Sequence, residues 1–215
     1  MLNVLLFKTK IALRLAGIVL GGKPPYYPLP EIMRRFVDEP RRDAFSRLLS
    51  DNRQLFQSVQ GSTNNHQAWP GGYYDHIEDG LNVVILLYLI LNACRPLPFS
   101  LASAVVAFFC HDLEKPWKYE LRDGQLHHRS GVDTKEECQR FRLAKLAEYG
   151  ITLTPEEENA VRYAEGELAD YSGRRRTMNQ LAALVHMADN WSARGWFDHP
   201  LAQNDPWSGR GRSRM

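Results

Sequence analysis

The amino-acid sequence predicts an all-α protein, a helical bundle with one main domain. Apolar residues recur at helical spacing along most of the chain, and no segment alternates convincingly enough to demand a sheet. Proline, glycine and capping residues divide this pattern into segments of helix length. The 215 residues correspond to one domain of roughly 100–200 residues with a small appendage.

The composition is that of an ordinary globular protein, with 44% hydrophobic and 24% charged residues. It excludes a disordered, collagen-like or disulfide-scaffold protein. The 27 basic and 25 acidic residues leave a formal charge of +2, without the dense basic excess of a protein that coats nucleic acid. Three dispersed cysteines without a CxxC pair disfavour disulfides, exclude a zinc ribbon and favour a cytoplasmic location.

Two apolar segments are candidates for membrane contact. Residues 1–22 are interrupted by Lys8, Lys10 and Arg14, whereas a signal peptide carries its charges before the apolar stretch. We expect an extra N-terminal helix packed on the domain, with peripheral membrane attachment as the alternative. Residues 81–94 are shorter than the ~20 that a bilayer needs, so we expect a core helix and no transmembrane segment.

The first elements after this helix are a connector and two helices. Residues 21–31 are rich in proline and glycine and form the expected linker. Residues 41–60 place apolar side chains near helical spacing, and residues 61–65 (GSTNN) break that pattern. The longest apolar helix is expected from about 73 to 94, and Arg-Pro-Leu-Pro follows it.

The next helices begin at capping residues. Ser100 is expected to cap a helix that runs to about Asp112, and a loop containing Pro116 and Asp123-Gly124 follows. Another helix is expected over about 134–150. Thr154, with Glu157 three residues later, predicts a capping box.

The C-terminal part contains two further helices and a tail. The helix after Thr154 fades near Gly166, and a strong amphipathic helix is expected over about 178–194. We therefore divide the chain into N-terminal helices packed on the core (1–60), the main domain (61–195) and a loosely ordered tail (196–215).

The histidine and aspartate residues suggest a metal site. His111-Asp112 stands at the end of an apolar helix, where the chain can turn and bring both side chains to one point. His76 begins the preceding long helix, and antiparallel packing places it at the same end of the bundle. Asp189 lies among apolar residues of the last helix, where burial is costly unless a partner or a metal is present. A neutral imidazole with a carboxylate suits a borderline divalent cation.

Three sequence blocks resemble the HD-domain metal-dependent phosphohydrolase superfamily. Residues 66–76 (HQAWPGGYYDH) are similar to the opening block of its bacterial 3′→5′ exoribonuclease branch and of relaxase-type HD proteins. Residues 111–115 (HDLEK) and 186–194 (HMADNWSAR) resemble its second and closing blocks. The resemblance covers most of the chain and implies an HD-like bundle over 61–195.

The resemblance also implies a ligand set. His76, His111, Asp112 and Asp189 would bind one divalent ion, such as Mn, Mg, Co, Ni or Fe. Members with two metals carry an additional His-His-Gly, where this chain reads Tyr-Ala-Glu-Gly over residues 163–166, so a second metal stays open.

Further residues are candidates for chemistry and substrate binding. Lys115 would meet a phosphate oxygen, Glu165 would offer a carboxylate, and His128 matches a further family histidine loosely. His66 is a candidate substrate contact or proton donor, and Arg174 and Arg194 are candidate phosphate contacts. For Lys115, Glu165 and the arginines the alternative is an ordinary solvated side chain.

The resulting functional hypothesis is an enzyme, a metal-dependent phosphohydrolase that cleaves phosphomonoesters or phosphodiesters of small phosphorylated nucleotides. One alternative is a 3′→5′ exonuclease or phosphodiesterase on short single-stranded nucleic acid, although the low charge disfavours long polynucleotides. A second is a non-catalytic HD-fold sensor or scaffold. A third is oxidation at a di-iron pair, which needs more ligands than we can assign. A homo-oligomer also stays open.

Overall fold

The computed structural model describes residues 24–62, 65–122, 125–128 and 131–201, and only the backbone for 119–122 and 125–128. Within these ranges the predicted all-α bundle is confirmed, with one short hairpin added to it. The expected helix within residues 1–22 and most of the expected tail lie outside the described residues.

The elements follow one another with short connections. The helices are α1 (Leu29–Phe36), α2 (Arg41–Asp51), α3 (Arg53–Ser58), α4 (Gly72–Cys94), α5 (Leu101–Cys110), α6 (Lys115–Lys118), α7 (Lys135–Glu148), α8 (Pro155–Arg162) and α9 (Gln180–Asn190). Strands β1 (Tyr119–Arg122) and β2 (Gln125–His128) pair in antiparallel fashion. A 3₁₀ turn (Leu168–Asp170) precedes α9, and a π-helical turn (Trp191–Gly195) follows it.

Helix α4 is the centre of the bundle. It packs against α5 and α9, while α8 packs on the other sides of those two helices and α1 covers α4 and α5. Helix α4 is long and apolar enough to cross a membrane, but 56% of its most apolar stretch is buried inside the protein. That burial is typical of a core helix, so the feature is weak evidence for a membrane span.

The predicted caps are present. The Ser100 hydroxyl accepts a hydrogen bond from the Ser103 amide, which starts α5. Thr154 and Glu157 form the predicted capping box at the start of α8, where Pro155 occupies the first turn. These contacts satisfy amide groups that have no partner inside a helix.

Three local predictions differ from the structure. The helix expected over 41–60 is two helices, because Asn52 leaves helical geometry and donates its side-chain amide to the Leu48 carbonyl. Part of the expected linker is helical, since α1 begins at Leu29 with a proline in its first turn, where proline favours a helix. The hairpin replaces an expected loop, and the Asp-Gly between its strands is a typical hairpin signal.

Gly72 allows α4 to start against the preceding loop. A Cβ at this position would lie 1.7 Å from the backbone oxygen of Gln67. Gln67 is itself fixed, because its backbone N–H donates a hydrogen bond to the Phe197 carbonyl at 2.8 Å. We expect Gly72→Ala to destabilise the protein by about 1–3 kcal/mol, since backbone must move to relieve the contact.

Urea unfolding of Gly72→Ala measures this effect. Gly173→Ala is the matched control, because a Cβ at that exposed glycine meets nothing within 4 Å. Equal stability of the two variants would contradict the close packing of α4 on this loop.

Candidate metal centre

The end of α5 directs His111 and Asp112 into the interior. The helix is almost entirely buried and ends at Cys110, after which both residues lie in a turn and stay below 5% exposed. His111 Nδ1 lies 2.5 Å from the Phe108 carbonyl oxygen. Because a carbonyl only accepts, Nδ1 carries the hydrogen and the lone pair of the neutral ring is at Nε2.

His76, in the second turn of α4, is fixed in the same way. Its Nδ1 lies 3.2 Å from the Ser192 hydroxyl, and that hydroxyl donates its hydrogen to Asp79 Oδ2 at 2.7 Å. The hydroxyl is therefore left to accept from His76 Nδ1–H, so that the lone pair of the neutral imidazole is again at Nε2.

Four side-chain atoms form a ring in which nitrogen and oxygen alternate. His76 Nε2 lies 3.6 Å from Asp112 Oδ2 and 3.2 Å from Asp189 Oδ1. His111 Nε2 lies 3.2 Å from the same Asp112 oxygen and 3.3 Å from the same Asp189 oxygen. Helices α4 and α9 and the turn after α5 thus bring the four residues together.

The donor set fits a divalent cation. His76, His111 and Asp112 form a buried group whose ligand atoms lie within 4.8 Å of one another and could hold a metal ion. Among the described residues, neither histidine Nε2 has a hydrogen-bond partner of good geometry. Ligands about 2.1 Å from a common ion and about 90–109° apart are separated by about 3.0–3.4 Å, close to the distances in the ring.

The electrostatics of the ring also call for positive charge. Burial alone would raise the pKa of Asp189, but the close approach of the His111 and His76 imidazoles holds it well below its usual range. Burial would lower the pKa of His111, yet Asp112 and Asp189 raise it to about 10. Two buried carboxylates therefore require a cation between them, either a proton on imidazole or a metal ion.

Lys115 lies against the ring. Its Nζ is 2.6 Å from Asp112 Oδ2 and donates to the Gly61 carbonyl at 3.1 Å. Burial acts to lower the pKa of Lys115, but the Asp112 carboxylate outweighs it and raises that pKa. The lysine is therefore a fixed positive charge beside the candidate ligands.

His66 lies on the other side of His76, with ring centroids 4.8 Å apart. The Nδ1 atom of His66 lies 2.8 Å from Gln67 Oε1, which leaves Nε2 as the second polar atom of the His66 imidazole. Burial, followed by the charges of His76 and Lys115, lowers the pKa of His66 to about 4. At neutral pH this side chain is uncharged.

Two other candidates lie outside the ring. Glu165 follows α8, its side chain is 64% exposed, and it lies 3.8 Å from Lys135 Nζ. It lines a cavity of about 440 Å³ that reaches His111 and is bounded by α7, α8 and the 3₁₀ turn. His128 is the last residue of β2, and its side chain lies outside the described residues.

The two candidate arginines are on the surface. Arg174 is exposed in the loop before α9 and lines a second cavity, of about 600 Å³. Arg194 is exposed in the π-helical turn after α9. Neither arginine lines the cavity that reaches His111.

The supporting contacts of the ring were not anticipated from the sequence. Asp79 lies three residues after His76, and Ser192 lies three residues after Asp189, so helical spacing puts each on the same face as a candidate ligand. The carboxylate of Asp79 also lies 3.6 Å from His199 Nε2. That i, i+3 spacing is the signal by which these residues could have been found.

Ser192→Ala removes the hydrogen bond that orients His76. Hydrogen bonds that orient a metal ligand typically contribute 10–100-fold to metal affinity, so we expect the dissociation constant for Mn²⁺ to rise by about 10-fold or more. Isothermal titration measures it, with the exposed Ser58→Ala as the matched control. An unchanged affinity would show that Ser192 does not orient a ligand.

No family model, no curated protein and no solved structure matches this chain.

Proposed function

We propose that the protein is a divalent-metal-dependent phosphohydrolase that acts on nucleotides or nucleotide-like substrates. The observation that carries this proposal is the buried ring of two imidazole nitrogens and two carboxylate oxygens with edges of 3.2–3.6 Å. The three sequence blocks that resemble HD-domain phosphohydrolases provide its four members in the same order along the chain.

His76, His111, Asp112 and Asp189 would hold the metal ion. When bound, a divalent ion in such a site supplies Lewis acidity toward phosphoryl oxygens and lowers the pKa of water toward neutrality. Because His76 and His111 are buried, the surrounding side chains would hold their metal-binding nitrogen atoms in one geometry. Reactions at phosphorus require such fixed positions.

Lys115 and His66 lie against members of the ring and are the groups that we assign to substrate binding. Lys115 carries a fixed positive charge beside Asp112, which would offset charge that develops on a phosphoryl oxygen. His66 is neutral and would form a hydrogen bond with the substrate without adding a charge.

The cavity beside His111 favours a small substrate. Its volume of about 440 Å³ lies within the range of about 300–1,000 Å³ that is common for small-molecule sites. Lys118 and Lys135 in its wall offer cations for a phosphate, while the acidic residues of the lining, among them Glu165 and Glu167, outnumber the basic ones. This mixed lining suits a mononucleotide better than a long polyanion.

One alternative within the same chemistry is a 3′→5′ exonuclease or phosphodiesterase on short single strands. It is favoured by three adjacent exposed arginines, Arg174, Arg175 and Arg176, in the loop before α9. A non-catalytic sensor is disfavoured, because degenerate members of such a family would lose ligand residues and this chain retains four.

The proposal is tested with a substrate panel. Mononucleotides, cyclic dinucleotides and short DNA and RNA oligomers are incubated with the protein and Mn²⁺, Mg²⁺, Co²⁺ or Ni²⁺, and products are analysed by chromatography. We expect release of phosphate or of a nucleoside monophosphate from at least one class.

Variants separate this activity from a contaminant. His111→Gln is expected to lose it, whereas His186→Gln retains it, because His186 contacts the Ala164 carbonyl outside the ring. A protein with bound metal that turns over no member of the panel would overturn the proposal.

A further inference from the structure

The loop of residues 171–178, here called the arginine loop, carries a concentrated positive charge. Arg174, Arg175 and Arg176 are consecutive and exposed. Within the part of the chain that the structure describes, no ion pair engages any of these three guanidinium groups. Three free guanidinium groups on adjacent residues repel one another unless an anion lies between them.

The loop is held at its base. Glu167 Oε1 accepts hydrogen bonds from the amides of Thr177 at 2.9 Å and Met178 at 2.7 Å. The Thr177 hydroxyl donates to the Asp170 carbonyl at 3.2 Å. The carboxylate nearest in sequence to the arginines on their N-terminal side is Asp170, and it is bound by the Tyr163 hydroxyl, so neither acid neutralises them.

The arginine loop borders a concave surface. The three arginines line a cavity of about 600 Å³ together with Tyr171, Asn179 and Gln180. Tyr171 is 72% exposed, which is unusual for a ring of this size. Guanidinium groups together with an exposed aromatic ring are the features that bind single-stranded nucleic acid.

We propose that the arginine loop binds the sugar–phosphate backbone of a short single-stranded nucleic acid, with one base stacked on Tyr171. The concave shape and the open aromatic face favour this ligand over an anionic membrane, because a lipid surface is flat and offers no base to stack on Tyr171. The proposal does not depend on the metal centre. Glu167 lines both cavities, so a strand bound here lies next to the cavity that reaches His111.

Binding is measured by fluorescence anisotropy with a labelled eight-nucleotide RNA in EDTA, where metal-dependent hydrolysis cannot occur. The triple variant Arg174→Gln, Arg175→Gln and Arg176→Gln is expected to weaken binding at least 10-fold. The slope of log K against log salt should become shallower by about 2, because three phosphate contacts contribute about 0.7 each for single strands.

The matched control removes the same charge elsewhere. Arg34, Arg53 and Arg95 are exposed on other faces, and their triple glutamine variant is expected to bind within about twofold of the unaltered protein. Equal loss in the two triple variants would overturn the proposal, because it would reduce the effect to net charge.

Tyr171 supplies an independent readout. Tyr171→Leu is expected to weaken binding about 5-fold or more, while Tyr171→Phe, which keeps the ring, binds as before. Absence of RNA binding by the unaltered protein, or binding to phosphatidylserine vesicles instead, overturns the proposal. Failure of the hydrolysis panel leaves this result unaffected, since no metal is present.

Discussion

Arg142→Met is expected to destabilise the protein by about 3–5 kcal/mol, because it leaves a buried carboxylate without its partner. Arg142 Nε lies 2.6 Å from Glu114 Oε2, and its Nη2 lies 2.9 Å from Glu114 Oε1. Burial acts to lower the pKa of Arg142, and Glu114 outweighs it and raises that pKa. The expected loss corresponds to a fall in melting temperature of about 6–20 °C for a chain of this size.

A double-mutant cycle separates the pair from its surroundings. Glu114→Leu with Arg142→Met removes both charges and is expected to recover most of the lost stability. Arg162→Met is the control, because the Arg162–Asp170 pair is half exposed and should contribute less than about 1 kcal/mol. A loss below that value for Arg142→Met would contradict the account of this buried pair.

Asp189→Asn is expected to abolish the stabilisation of the protein by metal. A ligand present at 100 times its dissociation constant raises the free energy of unfolding by about 2.7 kcal/mol. In Asp189→Asn the ring loses one negative charge and its carboxylate oxygen becomes a weaker amide oxygen, so Mn²⁺ should no longer raise the melting temperature. Differential scanning calorimetry with and without Mn²⁺ measures the difference.

The control for this variant is Asp198→Asn, at an exposed position after α9. It makes the same chemical change and is expected to retain the full response to Mn²⁺. If Asp189→Asn responds to Mn²⁺ as strongly as the control does, Asp189 is not a ligand.

The helices of the core could be predicted from local signals. Ser100 and Thr154 cap helices where the sequence indicates, because a hydroxyl next to an apolar periodic segment satisfies free amides in any fold. Helix α1 could not be found in this way, since Pro28 before it and Pro30 in its first turn indicated a connector. Its helical state depends on the burial of Leu29, Ile32 and Met33 against the core.

The part of the candidate site that depends on residue type and helix position could be predicted from the sequence. His76 and Asp189 lie in helices, His111 and Asp112 lie in the turn after α5, and the structure brings these four together. The exposure of Glu165 and the position of Arg174 at a separate cavity depend on loop paths after α8, which periodicity does not encode.

The positions of the two imidazole rings depend on two hydrogen bonds, one between elements far apart in the chain and one local to the end of α5. Ser192 reaches His76 across 116 residues, and the Phe108 carbonyl fixes His111 at the end of α5. The i, i+3 spacing places Ser192 on the same face as Asp189, but the identity of the ring that each group contacts is visible only in the coordinates.

The most direct measurement is anomalous diffraction from a crystal of the protein soaked in Mn²⁺. The account predicts one strong peak between helices α4 and α9 and the turn after α5, within about 2.5 Å of His76, His111, Asp112 and Asp189. A peak that Asp189 does not reach, or the absence of any peak among these side chains at saturating Mn²⁺, would contradict it.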